Sequence, residues 1–183
     1  KSPSPVLIAA RISAPRSLYD ASYVEDSWIA RGALGGKPIQ LLPRLQKKIA
    51  QHYPGTKLAI TEWSFGGQDH FSGALAAAEA LGAFGREGVD LANTWWTENE
   101  AQWAEAAFSV FRNYDGNGAK FGDQALAVED DPQVLSMFAS RTPDQKLVVV
   151  LVYKAAEPGS VGIAFDKIEQ MSQVRRFVLD EEH

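Results

Sequence analysis

The sequence contains no cysteine. That excludes disulfides, a thiolate nucleophile and any zinc site built on cysteine. A basic excess is missing too: 18 Lys and Arg stand against 23 Asp and Glu, for a formal net charge of −5. With no surplus of cations to release counterions from a phosphate backbone, nucleic acid is not an expected partner. No apolar run approaches the ~20 residues of a membrane helix, and Val6 to Ala10 falls short even of a secretory h-region. A spanning protein is therefore not expected, while a mature secreted chain would look the same. The sequence also holds no Gly-rich phosphate loop, Gly-x-Ser-x-Gly elbow or His-Glu-x-x-His motif, so nucleotide, serine-hydrolase and zincin chemistry lack support. At 183 residues the chain suits one domain, or one plus part of another. It is too short for a closed (β/α)8 barrel of about 250 residues.

An ordinary apolar share of 45% supports a folded core. The first forty residues read as irregular, broken by Pro3, Pro5, Pro15 and Pro38, with Val6-Leu7-Ile8 a short strand. Leu41, Leu42, Leu45, Ile49 and Tyr53 then recur at helical spacing, which predicts a helix from about Pro43 to Tyr53, stopped by Pro54-Gly55. Lys57 to Thr61 reads as a short buried strand with Glu62 at its C-terminal end. A second helix is expected from Ser72, as N-cap, to Glu87, with Gly88 closing it. Val89 to Thr94 reads as another strand, and about Glu100 to Tyr114 as a third helix. This alternation is that of a parallel α/β unit.

Beyond the Asp115-Gly116-Asn117-Gly118 turn the pattern changes to short β-type segments near 125–128, 137–140, 147–153, 161–165 and 175–179. Polar connectors separate them, as in an antiparallel sheet or sandwich. The expected fold class is α/β followed by all-β, with residues 1–120 as one unit and 121–183 as the other.

Glu62 is the sharpest chemical candidate. A carboxylate at the C-terminal end of a parallel strand lies on the face where α/β barrels build their active sites. Trp63 and Phe65 follow it, and Trp95-Trp96 end the next strand. Aromatic rings beside a carboxylate suit sugar chemistry, because a ring face stacks on a pyranose while the carboxylate meets the anomeric carbon. Each has a structural alternative: a strand-end Glu can cap or form a salt bridge, and tandem tryptophans can be core. Trp28, after Glu25-Asp26, is ambiguous in the same way. Asp69-His70 reads as surface loop, and no residue set here has metal-ligand spacing; the Asp115 loop fails the calcium-loop pattern at its twelfth position, Leu126.

Several stretches together resemble glycoside hydrolase family 44. They are Ser17-Leu18-Tyr19-Asp20, Tyr23 to Ile29, Leu41 to Leu45, Tyr53 to Glu62, Leu81 to Gly88, Asn113 to Gly116 and Lys120 to Asp123, spread in order from about Arg16 to about Val152. The resemblance implies retaining, endo-acting hydrolysis of β-1,4-glucans, including cellulose, carboxymethylcellulose or xyloglucan. It implies a secreted enzyme with no cofactor, whose partner is a β-glucan polysaccharide or oligosaccharide. The implied fold is the C-terminal part of a (β/α)8 barrel plus a partial antiparallel β-sandwich.

The resemblance also implies roles for residues. Glu62 takes the place of the nucleophile, and Trp95 or Trp96 that of a strand-end aromatic contacting sugar, with Trp63 and Phe65 beside them. The family's acid/base is a Glu in an Asn-Glu pair on an earlier strand. The Asn-Glu of this sequence, Asn99-Glu100, instead follows Glu62 at a helix start. The acid is then expected from a further barrel segment, from another chain, or from a local carboxylate such as Glu98 or Glu25. A non-catalytic glucan-binding remnant is the alternative, and an open parallel sheet of this kind is expected to self-associate.

Overall fold

In the computed structural model, residues 3–95, 101–166 and 171–181 are described. The chain does not open on a strand. Ser4 caps a helix, α1 (Pro5–Ser13), its hydroxyl accepting the Leu7 N–H at 3.3 Å, and Pro5 occupies the first turn. A proline there costs no hydrogen bond and presets φ for the helix, which overrides the β-leaning Val6-Leu7-Ile8. A 3-10 segment (Ala14–Leu18) and a π-helical turn (Ile29–Ala33) lead to α2 (Leu41–His52).

The predicted alternation then appears in order: β1 (Ala59–Trp63), α3 (Phe71–Arg86), β2 (Leu91–Thr94) and α4 (Gln102–Arg112). β1 and β2 pair in parallel. The chain closes with an antiparallel sheet of β3 (Gln124–Leu126), β4 (Leu135–Arg141) and β5 (Leu147–Tyr153), β4 lying in the middle. The architecture is thus α/β followed by all-β: part of a (β/α)8 barrel and a partial β-sandwich.

Two expectations fail. No strand forms at 161–165 or 175–179; Val161, Ile163, Val174, Phe177 and Val178 are exposed, with no apolar face packed against the sheet. The end of that segment docks, with Leu179 on the core and Phe177 against Tyr114. Nor is β1 a buried strand, since Ala59, Thr61 and Glu62 face solvent.

α3 is the centre of the molecule. Its alanines are buried on more than one side, as expected of a helix apolar nearly all round. Ala74, Ala77 and Ala78 join Ala107 and Phe111 of α4 and Phe138, Val150 and Val152 of the antiparallel sheet. Ala80, Ala83 and Phe84 join Leu18 and Leu42 in a second cluster, with Ile60 and Ala92 of the parallel pair. Helix and sheet approach closely at Gly82, where an added Cβ would lie 2.3 Å from the Phe138 ring.

A polar tie runs through this junction. Tyr19 Oη donates to Glu79 Oε1 at 2.6 Å, and Lys154 Nζ donates to Glu79 Oε2 at 2.5 Å and to Ser136 Oγ at 2.8 Å. The Pro132 carbonyl accepts a third bond from Lys154. Burial, then the Glu79 charge, push the Tyr19 hydroxyl well above its ordinary range. Burial pulls Lys154 down, against the attraction of Glu79. Both charges of the pair are almost wholly out of solvent.

Candidate functional site

The parallel pair contains an irregularity at the residue of interest. Ile60 faces Ala92, but Trp63 faces Thr94, so Thr61 and Glu62 lie opposite the single residue Asn93. An extra residue of this kind bends a strand and re-aims its side chains, and such bulges recur beside active sites. It explains why two consecutive residues, Thr61 and Glu62, are both exposed, where strict alternation would hide one.

Leu91, Asn93 and Trp95 alternate onto the exposed side of β2 and its extension, while Ile60, Trp63 and Ala92 pack toward α3. Glu62, Asn93 and Trp95 are therefore all open to solvent at one end of the pair. Among the described residues the Glu62 carboxylate has no hydrogen-bond or ion-pair partner, and it is exposed.

The aromatic candidates divide. Trp95 is 66% exposed. Trp63 is half-buried, its ring edge-on to Phe84 at 5.2 Å and stacked with Phe108 at 6.1 Å, with Phe65 at 6.4 Å. Its indole N–H is buried with no partner among the described residues. Trp63, Ser64, Phe65, Gln68, Thr94 and Phe108 line a small recess below the strand ends. Trp96, Glu98 and Asn99-Glu100 lie outside the described residues.

The loop after β1 is tightly held. His70 caps α3, its Nδ1 accepting the Ser72 N–H at 3.1 Å, so the cap falls two residues before the predicted one. Arg11 Nη1 donates to Ser72 Oγ at 2.7 Å. Gly73 packs directly on the Gly67 carbonyl, where an added Cβ would come within 1.9 Å. The two strand ends are joined by Trp95 N–H to the Trp63 carbonyl at 3.1 Å and Thr94 Oγ1 to the same carbonyl at 3.0 Å. Among the described residues no group of three or more His, Asp or Glu side chains is placed to hold a metal ion. No helix among them is long and apolar enough to cross a membrane.

No protein-family model matches the chain. Endoglucanase A of Paenibacillus lautus is 46% identical over 144 residues, covering 78% of this chain and 20% of that protein. Beta-mannanase/endoglucanase A of Caldicellulosiruptor saccharolyticus is 34% identical over 169 residues, 78% of this chain and 12% of its own. Among solved structures, the family 44 endoglucanase of Clostridium thermocellum superposes with a TM-score of 0.75 at 43% identity, over 80% of this chain and 29% of that one. The chain is homologous to glycoside hydrolase family 44. The family 44 xyloglucanase of Paenibacillus polymyxa agrees, at a TM-score of 0.76 and 38% identity over 82% of this chain and 29% of its own. The chain thus spans a fifth or less of the curated relatives it matches.

Two residues of this candidate site were not singled out by sequence reasoning. Asn93 stands opposite the bulge, and its signal was its place two residues before Trp95 on one strand. Gln68 bridges the two strand-end loops, and nothing in its sequence context announced that role.

Proposed function

We propose that this chain carries the nucleophile half of a retaining β-1,4-glucan hydrolase. A Glu62 oxygen attacks the anomeric carbon as the bond from that carbon to the leaving oxygen breaks, giving a glycosyl-enzyme ester. Water then releases the sugar with net retention. Trp95 offers its exposed ring to a pyranose face, with Trp96 following it in sequence; Trp63 and Phe65 line the recess on the α3 side and back the strand end that bears the carboxylate. The observation that carries this reading is the exposed Glu62, unpartnered among the described residues and presented by a bulge at the end of a parallel strand with Trp95 open beside it. The names of the homologues support a glucan substrate, and a polymeric substrate of that kind goes with a reaction outside the cell.

A retaining mechanism needs a second carboxyl about 5–5.5 Å from the first, to protonate the leaving oxygen. It is to come from a further barrel segment, a second chain, or a local carboxylate such as Glu98 or Glu25. Absence of that acid typically costs about 10²–10⁴ in rate, a loss that falls on poor leaving groups. Dinitrophenyl cellobioside should therefore be cleaved far better than carboxymethylcellulose, and Glu62→Gln should abolish cleavage of both. Equal rates for the wild type and Glu62→Gln would overturn the nucleophile assignment.

One observation favours a second reading. The described residues supply two parallel strands where a closed barrel has eight. Glucan retention in affinity electrophoresis with no release of reducing sugar would mark a binding module.

A further inference from the structure

Gln68 sits in the loop between Glu62 and α3, and its side chain reaches across to the neighbouring strand end. Its Nε2 donates to the Trp95 carbonyl at 2.9 Å and to Ser64 Oγ at 3.1 Å. Ser64 Oγ in turn accepts the Gly66 N–H at 3.1 Å. The backbone of Gln68 is itself anchored, its carbonyl accepting the Trp103 N–H at 3.1 Å. One amide group thus ties the loop that follows the carboxylate to the residue that bears the exposed indole. An amide NH₂ has two donors, and both are used here. Trp95 is one residue past the last paired position of β2. Among the described residues, its backbone is held by the Trp95 N–H bond to Trp63 and by the Gln68 bond to its carbonyl.

We propose that Gln68 is a positioning residue that fixes Trp95 relative to Glu62. The inference rests on the reading of this face as glucan-binding and adds the element that sets its geometry. Stacking on a sugar requires the ring to stand at a defined height and tilt. A strand end held by one backbone bond samples several orientations, and ordering it at the moment of binding lowers affinity. Gln68 places that ordering in the free protein.

The test uses the chain labelled with 5-fluorotryptophan and read by fluorine NMR, with the Trp95 line assigned by Trp95→Phe. Gln68→Glu keeps the size of the side chain and removes both donors, leaving the backbone bond to Trp103 intact. Gln68→Ala controls for the added charge. In both variants the Trp95 line should shift and narrow while the Trp28 line holds. Titration with cellohexaose should then show binding weakened about five- to tenfold, the scale of one or two hydrogen bonds. In a Trp95→Ala background the same substitutions should change affinity less than about twofold, because the two residues act as one unit. An unmoved Trp95 line, or additive losses in the cycle, would overturn the proposal. If the wild type does not respond to cellohexaose, the glucan reading fails, and the Trp95 line in the free protein still decides the role of Gln68.

Discussion

Glu79 and Lys154 meet in the interior, where, among the described residues, each other, Tyr19, Ser136 and one carbonyl replace water. Removing one partner of such a pair leaves an uncompensated buried charge, typically costing about 3–5 kcal/mol. Lys154→Met is expected to lose that much in urea unfolding, and adding Glu79→Gln to it should recover part of the loss. Asp20 offers a pH test. Burial acts to raise its pKa, but hydrogen bonds from Ser22 and the Arg16 guanidinium outweigh it, so the carboxyl titrates below its ordinary 3.8. A depressed folded pKa contributes stability that is present above the unfolded value and is lost as pH falls through the folded one. Asp20→Asn should therefore cost about 1.5–3 kcal/mol at neutral pH, and the gap from wild type should close as pH drops below 3.8. Sequence reasoning had no access to these ties. Glu79 reads as one position of a helical stripe, and its partner lies 75 residues further on.

At the scale of elements, periodicity located every helix of the α/β part except α1, where capping by Ser4 and Pro5 outweighed three β-leaning residues. What it could not show is where strands break register. The bulge at Thr61-Glu62 depends on pairing with Asn93, a long-range fact, yet it decides how the carboxylate is presented. The missing strands at 161–165 and 175–179 teach the converse, since β-type composition makes a strand only where the side chains also find a surface to pack on. α3 yields the sharpest prediction. Gly→Ala inside a helix normally stabilises by roughly 0.5–1 kcal/mol. At Gly82 the new methyl would strike the Phe138 ring, so Gly82→Ala should instead destabilise by about 1–3 kcal/mol in thermal or urea unfolding. Gly73→Ala meets backbone rather than a side chain and should cost more.

For the whole molecule, α3 holds two apolar clusters in place while one face of the parallel pair stays open. Unpaired strand edges and exposed apolar side chains such as Leu91 are templates for association. Sedimentation velocity should therefore show concentration-dependent self-association, and a monomer at all concentrations would argue against an open edge. The family and the division into α/β and β regions were legible in the sequence, because ordered motifs and hydrophobic periods survive in any piece of a fold. The acid that the proposed role of Glu62 calls for was not, because it depends on what stands opposite Glu62 in space. The central claim is that Glu62 forms the covalent bond to sugar, and it can be tested without that partner. A dinitrophenyl deoxyfluoro-β-cellobioside carries a leaving group that needs no acid, and its fluorine slows release of the glycosyl-enzyme. After incubation, peptide mass spectrometry should find the deoxyfluorocellobiosyl adduct on Glu62; an adduct on a different carboxylate, or none at all, would contradict the account.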